Sequence, residues 1–145
     1  MAMFVKQISV SLDNNPGTFL TVSDCLGAEG INIRAISVAD TSDVSTVRFV
    51  ADDPQKTVTV LNSKGYSVRE KDVVAVEIPD HPGALQAVLK PLNEAGINVL
   101  YLYPYLGRSK SSQPIVIIGV DKGTEAIDVL KQNWVHTFGE EIYAL

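Results

Sequence analysis

The chain has 145 residues, 46% of them hydrophobic and 20% charged, with a formal net charge of −5. That balance suits a folded globular protein and runs against nucleic-acid binding, which needs clustered Lys and Arg. No apolar run approaches the roughly 18 residues of a membrane span, the start MAMFVKQISV lacks the plan of a signal peptide, and the one cysteine, Cys25, leaves no internal disulfide or cysteine-based zinc cluster. The expectation is a cytoplasmic protein with no membrane or nucleic-acid partner and no cofactor.

In chain order, Phe4, Lys6, Ile8, Val10 and Leu12 alternate with Val5, Gln7, Ser9 and Ser11, the period of two of a half-buried strand. A Pro16-Gly17 turn follows, and then Phe19, Val22 and Leu26 recur at helical spacing until Gly30 ends the run. Ile31 to Ala39 and Val44 to Ala51 read as strands around a turn at Asp40 to Asp43. Asp53 and Pro54 open a short helix closed near Gly65, and Tyr66 to Glu70 reads as a strand. The order is βαββαβ.

The order then repeats. Val73 to Ile78 is a strand, Pro82 to Ala95 a helix with Pro91 inside it, and Ile97 to Leu106 a strand. After the polar loop GRSKSSQ come the strand Ile115 to Val120, the helix Lys122 to Gln132 and the strand Trp134 to Phe138. NNPGTFLTVSDCLGAEGIN from Asn14 returns as DHPGALQAVLKPLNEAGIN from Asp80 at one offset without a gap, matching Pro16 to Pro82, Gly17 to Gly83, Leu26 to Leu92 and Gly30-Ile31-Asn32 to Gly96-Ile97-Asn98. Two domains, 1–72 and 73–145, are expected, joined by a two-residue linker at Lys71-Asp72. The expected fold class is α+β: two ferredoxin-like βαββαβ units with antiparallel sheets packed side by side.

The turn suggests chemistry. A helix that starts at a Pro-Gly turn presents backbone N–H groups near Gly17 and Thr18, and such a helix start holds a carboxylate. On this reading those N–H groups lack partners, and Gly30 turns the chain so that Asn32 returns to the same end of the sheet. Asn carries both a donor and an acceptor, so the pair could hold the two charged groups of an amino acid. A lone Asn-Asn-Pro-Gly is equally a plain turn, and Asn32 and Asn98 can instead bond local backbone. The co-registered repeat favours the functional reading. His81 beside Asp80 reads as a surface loop, His136 as structural and Cys25 as a small packed residue.

The pattern NNPGTF…EGINI, repeated as DHPGAL…AGINV in two βαββαβ units, resembles the ACT domain family of amino-acid-sensing regulatory modules, in its stand-alone tandem form, over Phe4 to Leu145. The resemblance implies a non-catalytic regulatory protein that binds a free amino acid where two ACT units meet. In members that bind serine, the family pattern places on the ligand an Asn two residues before the Pro and a second in the Gly-Ile-Asn triplet. Carried over, these are Asn14 and Asn32, then Asp80 and Asn98. Asp80 departs from the pattern, since a carboxylate there repels a ligand carboxylate but can hold its ammonium, which leaves three expectations for the second site: binding in another orientation, another ligand, or none. The candidate ligand set is Leu12, Asn14, Asn15, Pro16, Gly17, Thr18, Asn32 and Ile33 in the first repeat, with Asp80, His81, Pro82, Gly83, Ala84, Asn98 and Val99 in the second.

Tyr101, Tyr103 and Tyr105 alternate on the second repeat's second strand, opposite in phase to Leu102 and Pro104, which are expected to face the helices. The tyrosines are expected on an open, helix-free face, there to meet Ala35 and Ser37 of a second chain in a homodimer. Three function classes remain. They are an amino-acid sensor, an interaction subunit without ligand that docks on a separately encoded enzyme of amino-acid metabolism, and a small ferredoxin-like enzyme. The last is disfavoured because no nucleophile–base or paired-carboxylate constellation appears.

Overall fold

A computed structural model describes residues 4–40 and 43–145, so the middle of the expected Asp40–Asp43 turn, residues 41 and 42, lies outside the described residues. Two compact units emerge, Lys6–Lys71 and Asp72–Leu145, the second also taking in Val5.

The first unit contains β1 (Val5–Asp13), α1 (Thr18–Ala28), β2 (Ile33–Asp40), β3 (Val44–Ala51) and α2 (Pro54–Ser63). β3 lies between β1 and β2 and is antiparallel to both. Apolar residues at period two give each strand one buried face. Ile8, Val10, Leu12, Val47 and Phe49 pack beneath Val22 and Leu26 of α1 and Leu61 of α2. α2 starts as its sequence dictates: Asp53 caps it by accepting the Lys56 N–H at 3.1 Å, and Pro54 occupies the first turn.

The second unit repeats the plan with α3 (Ala84–Glu94), β5 (Val99–Arg108), β6 (Pro114–Val120), α4 (Gly123–Gln132), the two-residue β7 (Thr137–Phe138) and a 3-10 helix, Glu140–Ala144. Its core joins Val74, Val76, Ile118 and Val120 to Val88 and Leu92 of α3 and Ile127 and Leu130 of α4. α3 continues past Pro91 to Glu94.

Two expectations need correction. The fourth strand of the first repeat and the first strand of the second are one strand, β4 (Val68–Glu77), so Lys71-Asp72 is no linker. The alternating Val68, Val74, Val76 pattern carries across the charged residues because a strand needs only one apolar face.

The tyrosine row is also not open. Cross-strand partners share a sheet face, and Tyr103 opposes Ile117 while Leu102 opposes Ile118 of the helix-side core. The tyrosines thus lie on the helix-free face as expected, but Tyr103 is only 3% and Tyr105 4% exposed. The Tyr105 hydroxyl donates to the carbonyls of Ile142 at 3.0 Å and Leu145 at 3.3 Å, so the 3-10 helix folds against this side. The Tyr101 ring lies over Gly119, where a Cβ would come within 2.3 Å. Ala35, expected at the same interface, is buried and Ser37 partly so. Leu102 and Pro104, on the helix side, are the exposed ones.

Gly30, Gly65 and Gly96 each sit just beyond a helix at φ 71°, 88° and 72°. The corresponding place after α4 holds Trp134 at φ 63°, with 96% of its surface exposed. A left-handed conformation costs an L-residue about 1–2 kcal/mol. Trp134→Gly should therefore raise stability in urea unfolding by about 0.5–1 kcal/mol, after allowance for the greater freedom of glycine in the unfolded chain.

Candidate functional site

Both Pro-Gly turns have one backbone design. Gly17 at φ 88° and Gly83 at φ 83° precede α1 and α3 in the left-handed region, and neither helix start carries a side-chain cap. The amides next to the glycines are not without partners, as the sequence had suggested. Thr18 N–H donates to Asn15 O at 3.4 Å and Ala84 N–H to His81 O at 3.2 Å, which closes each turn locally. Asn15 N–H bonds Asp13 O at 2.9 Å, and His81 N–H bonds Pro79 O at 3.0 Å.

Side chains distinguish the copies. The Thr18 hydroxyl donates to Asp13 O at 2.9 Å and Asn15 O at 3.0 Å, and Thr21 hydroxyl to Gly17 O at 2.9 Å. Their counterparts are Ala84 and Ala87, which can make none of these bonds. His81 Nδ1 instead lies 3.0 Å from Pro82 O.

Beside each turn is a cavity of its own unit. The first, about 400 Å³, is lined by Ser11, Leu12, Asp13, Thr18, Thr21 and Tyr66. The second, about 350 Å³, is lined by Glu77, Pro79, Ala84, Ala87, Val88 and the segment Asn133–His136. They are the same place in two repeats, one walled by hydroxyls and the other mainly by apolar groups. Of the expected ligand residues, Leu12, Thr18 and Ala84 line these cavities. Thr21 and Tyr66 were missed, although Thr21 aligns with Ala87 at the repeat's own offset.

Asn32 and Asn98 are not at these turns. Within the first unit Asp13 pairs with Val44, whereas Ile33 pairs with Ala51 at the other end of β3. Seven strand steps separate them, roughly 23 Å. The reason is that α1 runs the length of the sheet and delivers the chain to the far end before Gly30 turns it. There the Asn32 N–H donates to Asp52 Oδ1 at 3.0 Å, and Asp52 N–H returns to Asn32 O at 3.0 Å. Asn98 and Asp121 make the same clasp at 2.9 and 3.3 Å. Both asparagines are exposed, next to Ile33 and Val99, which are partly buried. Among the described residues no group of three or more His, Cys, Asp or Glu is placed to hold a metal.

With this geometry in view, the chain matches a family model described as an ACT domain pair over residues 3–143. It is similar to the crystal structure of protein BT0572 from Bacteroides thetaiotaomicron, at 31% identity over 99% of both chains with a TM-score of 0.91. The fold is shared with the regulatory subunit of aspartate kinase from Thermus thermophilus, at 15% identity over 92% of this chain and 96% of that one, TM-score 0.64. It is shared too with aspartokinase alpha and beta subunits, at 19% identity over 89% and 91%, TM-score 0.59. No curated protein matches.

A Cβ at Gly17 or Gly83 would meet nothing within 4 Å, so any penalty there is conformational. Gly17→Ala and Gly83→Ala should each cost about 1–2 kcal/mol by urea unfolding. Gly17→Asn should cost less, since Asn tolerates this region.

Proposed function

The chain belongs to the ACT family, as a pair of ACT domains, and from that premise we propose that it is a non-catalytic regulatory protein that binds a free amino acid at its Pro-Gly turns. The observation that carries this reading is the repetition of a left-handed glycine and an uncapped helix start beside a cavity in each unit. A helix start favours a carboxylate, the Ser11 hydroxyl offers a donor and an acceptor, and the hydroxyls of Thr18 and Thr21, whose protons go to backbone carbonyls, offer acceptors for the rest of a small polar molecule.

No single unit can close Asn14 and Asn32 around one small ligand, because they stand at opposite ends of its sheet. We therefore assign the second half of the cradle to another copy of the chain, in a homodimer. Tyr103 and Tyr105 are buried within the chain and do not serve as its interface. A second reading, a ligand-free subunit docking on an enzyme of amino-acid metabolism, is favoured by one surface. Leu100, Leu102 and Leu106 stand 49%, 39% and 66% exposed along β5, a row of apolar area of the kind that marks interaction sites.

Among the twenty amino acids at least one should raise the melting temperature, by the equivalent of about 2.7 kcal/mol at a hundredfold excess over its dissociation constant. Asn14→Ala and Asn32→Ala should each weaken its binding by roughly 1.5–3 kcal/mol. Calorimetry should find the second turn weaker or silent, and Asp80→Asn should strengthen it. If no amino acid shifts the melting curve, the ligand-free reading replaces the sensor.

The shared cradle has its own check. Light scattering should give a dimer mass. Mixing equal amounts of the Asn14→Ala and Asn32→Ala chains should restore about a quarter of the sites, since half of the dimers are then mixed and each mixed dimer keeps one of its two cradles with both asparagines. A monomer, or a mixture that binds no better than either variant, would refute the two-chain site.

A further inference from the structure

We propose that the second unit carries another small-ligand site, distinct from the Pro-Gly turn, for an apolar molecule that bears a primary ammonium group. A cavity of about 370 Å³ opens between the Ser109–Ser111 loop, β7 and the 3-10 helix. Glu77 and His136 belong to its wall as well as to the groove by the turn, but the rest of its lining is separate. The first repeat has no 3-10 helix to close such a cavity, because its chain continues from Lys71 straight through β4.

The polar side of the cavity is built rather than incidental. Ser109 is only 8% exposed, and its hydroxyl donates to Glu77 Oε1 at 3.3 Å while accepting Gln113 N–H at 3.1 Å. Glu77 Oε2 lies 3.5 Å from His136 Nδ1. Glu141 Oε1 accepts the Gly139 N–H at 3.0 Å, which fixes this carboxylate at the cavity's edge. An ionised carboxylate has room for further donors.

The apolar side is flat. The His136 ring stacks on Phe138 with centroids 4.5 Å apart and planes at 25°. Ala144 and Leu145 line the cavity as well. Two carboxylates, Glu77 and Glu141, face one lysine, Lys110, so carboxylates outnumber lysines in the cavity wall. An ammonium group meets Glu141 by a charge-assisted bond, and an apolar body rests against Phe138. An amine and an apolar amino acid share this chemistry. Lys110 distinguishes them, since only the amino acid has a carboxylate for it.

The test titrates the full chain with 2-phenylethylamine, phenylalanine and 3-phenylpropanoate, read by NMR shifts of Ser109, Gly139 and Ala144 and by calorimetry. Both ammonium compounds should move these signals, and the propanoate should bind about tenfold more weakly or not at all. Glu141→Gln keeps an acceptor for Gly139 but removes the charge, and should weaken ammonium binding about tenfold. Ala144→Trp, at an exposed position, should fill the cavity and abolish binding. Lys110→Ala that weakens phenylalanine alone marks an amino acid as the occupant, and equal binding to wild type marks an amine. The proposal is overturned if the propanoate binds as well as the amine, if no probe moves these signals at millimolar concentration, or if Glu141→Gln and Ala144→Trp both leave binding unchanged.

Discussion

An eleven-residue helix is about 16 Å long, and with the turns at its two ends it bridges the roughly 23 Å between the ends of the strands it covers; this span governs where each motif residue of the chain can stand. α1 begins at the Pro-Gly turn at one end of its sheet and cannot release the chain until it reaches the other. Its apolar residues, Val22 and Leu26, are buried over β1 and β3, and burial of such side chains stabilises by about 1.5–3 kcal/mol each. Shortening the helix to bring Asn32 nearer Asn14 would expose that stripe. The separation of turn and asparagine is thus fixed by the same packing that forms the core, and α3 with Val88 and Leu92 imposes it again in the second unit.

Much of this was legible in the sequence. Period-two alternation gave the strands, 3.6-residue spacing gave α1, and the Asp53-Pro54 start gave α2, because each of these signals is local. The Pro-Gly turns were legible for the same reason. What could not be read depends on direction and coverage. Gly30-Ile31-Asn32 identifies a helix end, but a sequence does not display which end of the sheet that is unless the helix length is compared with the strand length. Charged residues between Arg69 and Asp72 looked like a junction, yet a strand with one solvated face accommodates them, and β4 runs through.

The tyrosines show the limit more sharply. Their phase relative to Leu102 and Pro104 was correctly read from alternation, and the helix-free face was correctly assigned. Exposure was not, because it depends on what covers that face. Glu140–Ala144 forms a turn of 3-10 helix that buries Ile142 completely and accepts the Tyr105 hydroxyl. Five residues without periodicity give no signal of a lid. Conversely, Leu102 and Pro104 share the helix-side face with Ile118 and Val116 and are nevertheless exposed, as a strand lying beyond the reach of α3 and α4 must be.

The two repeats agree at one end of their units and diverge at the other. At the far end from the turns, Asn32–Asp52 and Asn98–Asp121 form the same two-bond clasp. Lys56 Nζ reaches Glu29 O at 2.7 Å, and Lys122 Nζ reaches Gly96 O at 3.5 Å. Each lysine thus places a cation at the negative end of a helix, the favourable arrangement. At the turn end almost every feature differs. Thr18 and Thr21 correspond to Ala84 and Ala87, Asn14 to Asp80, and Gly65 to Trp134, and the second unit adds the Ser109–Ser111 loop with its cavity. Closing a βαββαβ unit makes the same demand on both copies, so the clasp and the lysine are held by folding. The turn end is released from that demand, since its backbone is satisfied in both copies by the same local bonds whatever the side chains. Its residues are therefore free to differ between the two units. All three cavities discussed lie there, one in the first unit and two in the second. A single chain thereby combines one structural end, used twice, with two chemically different turn ends.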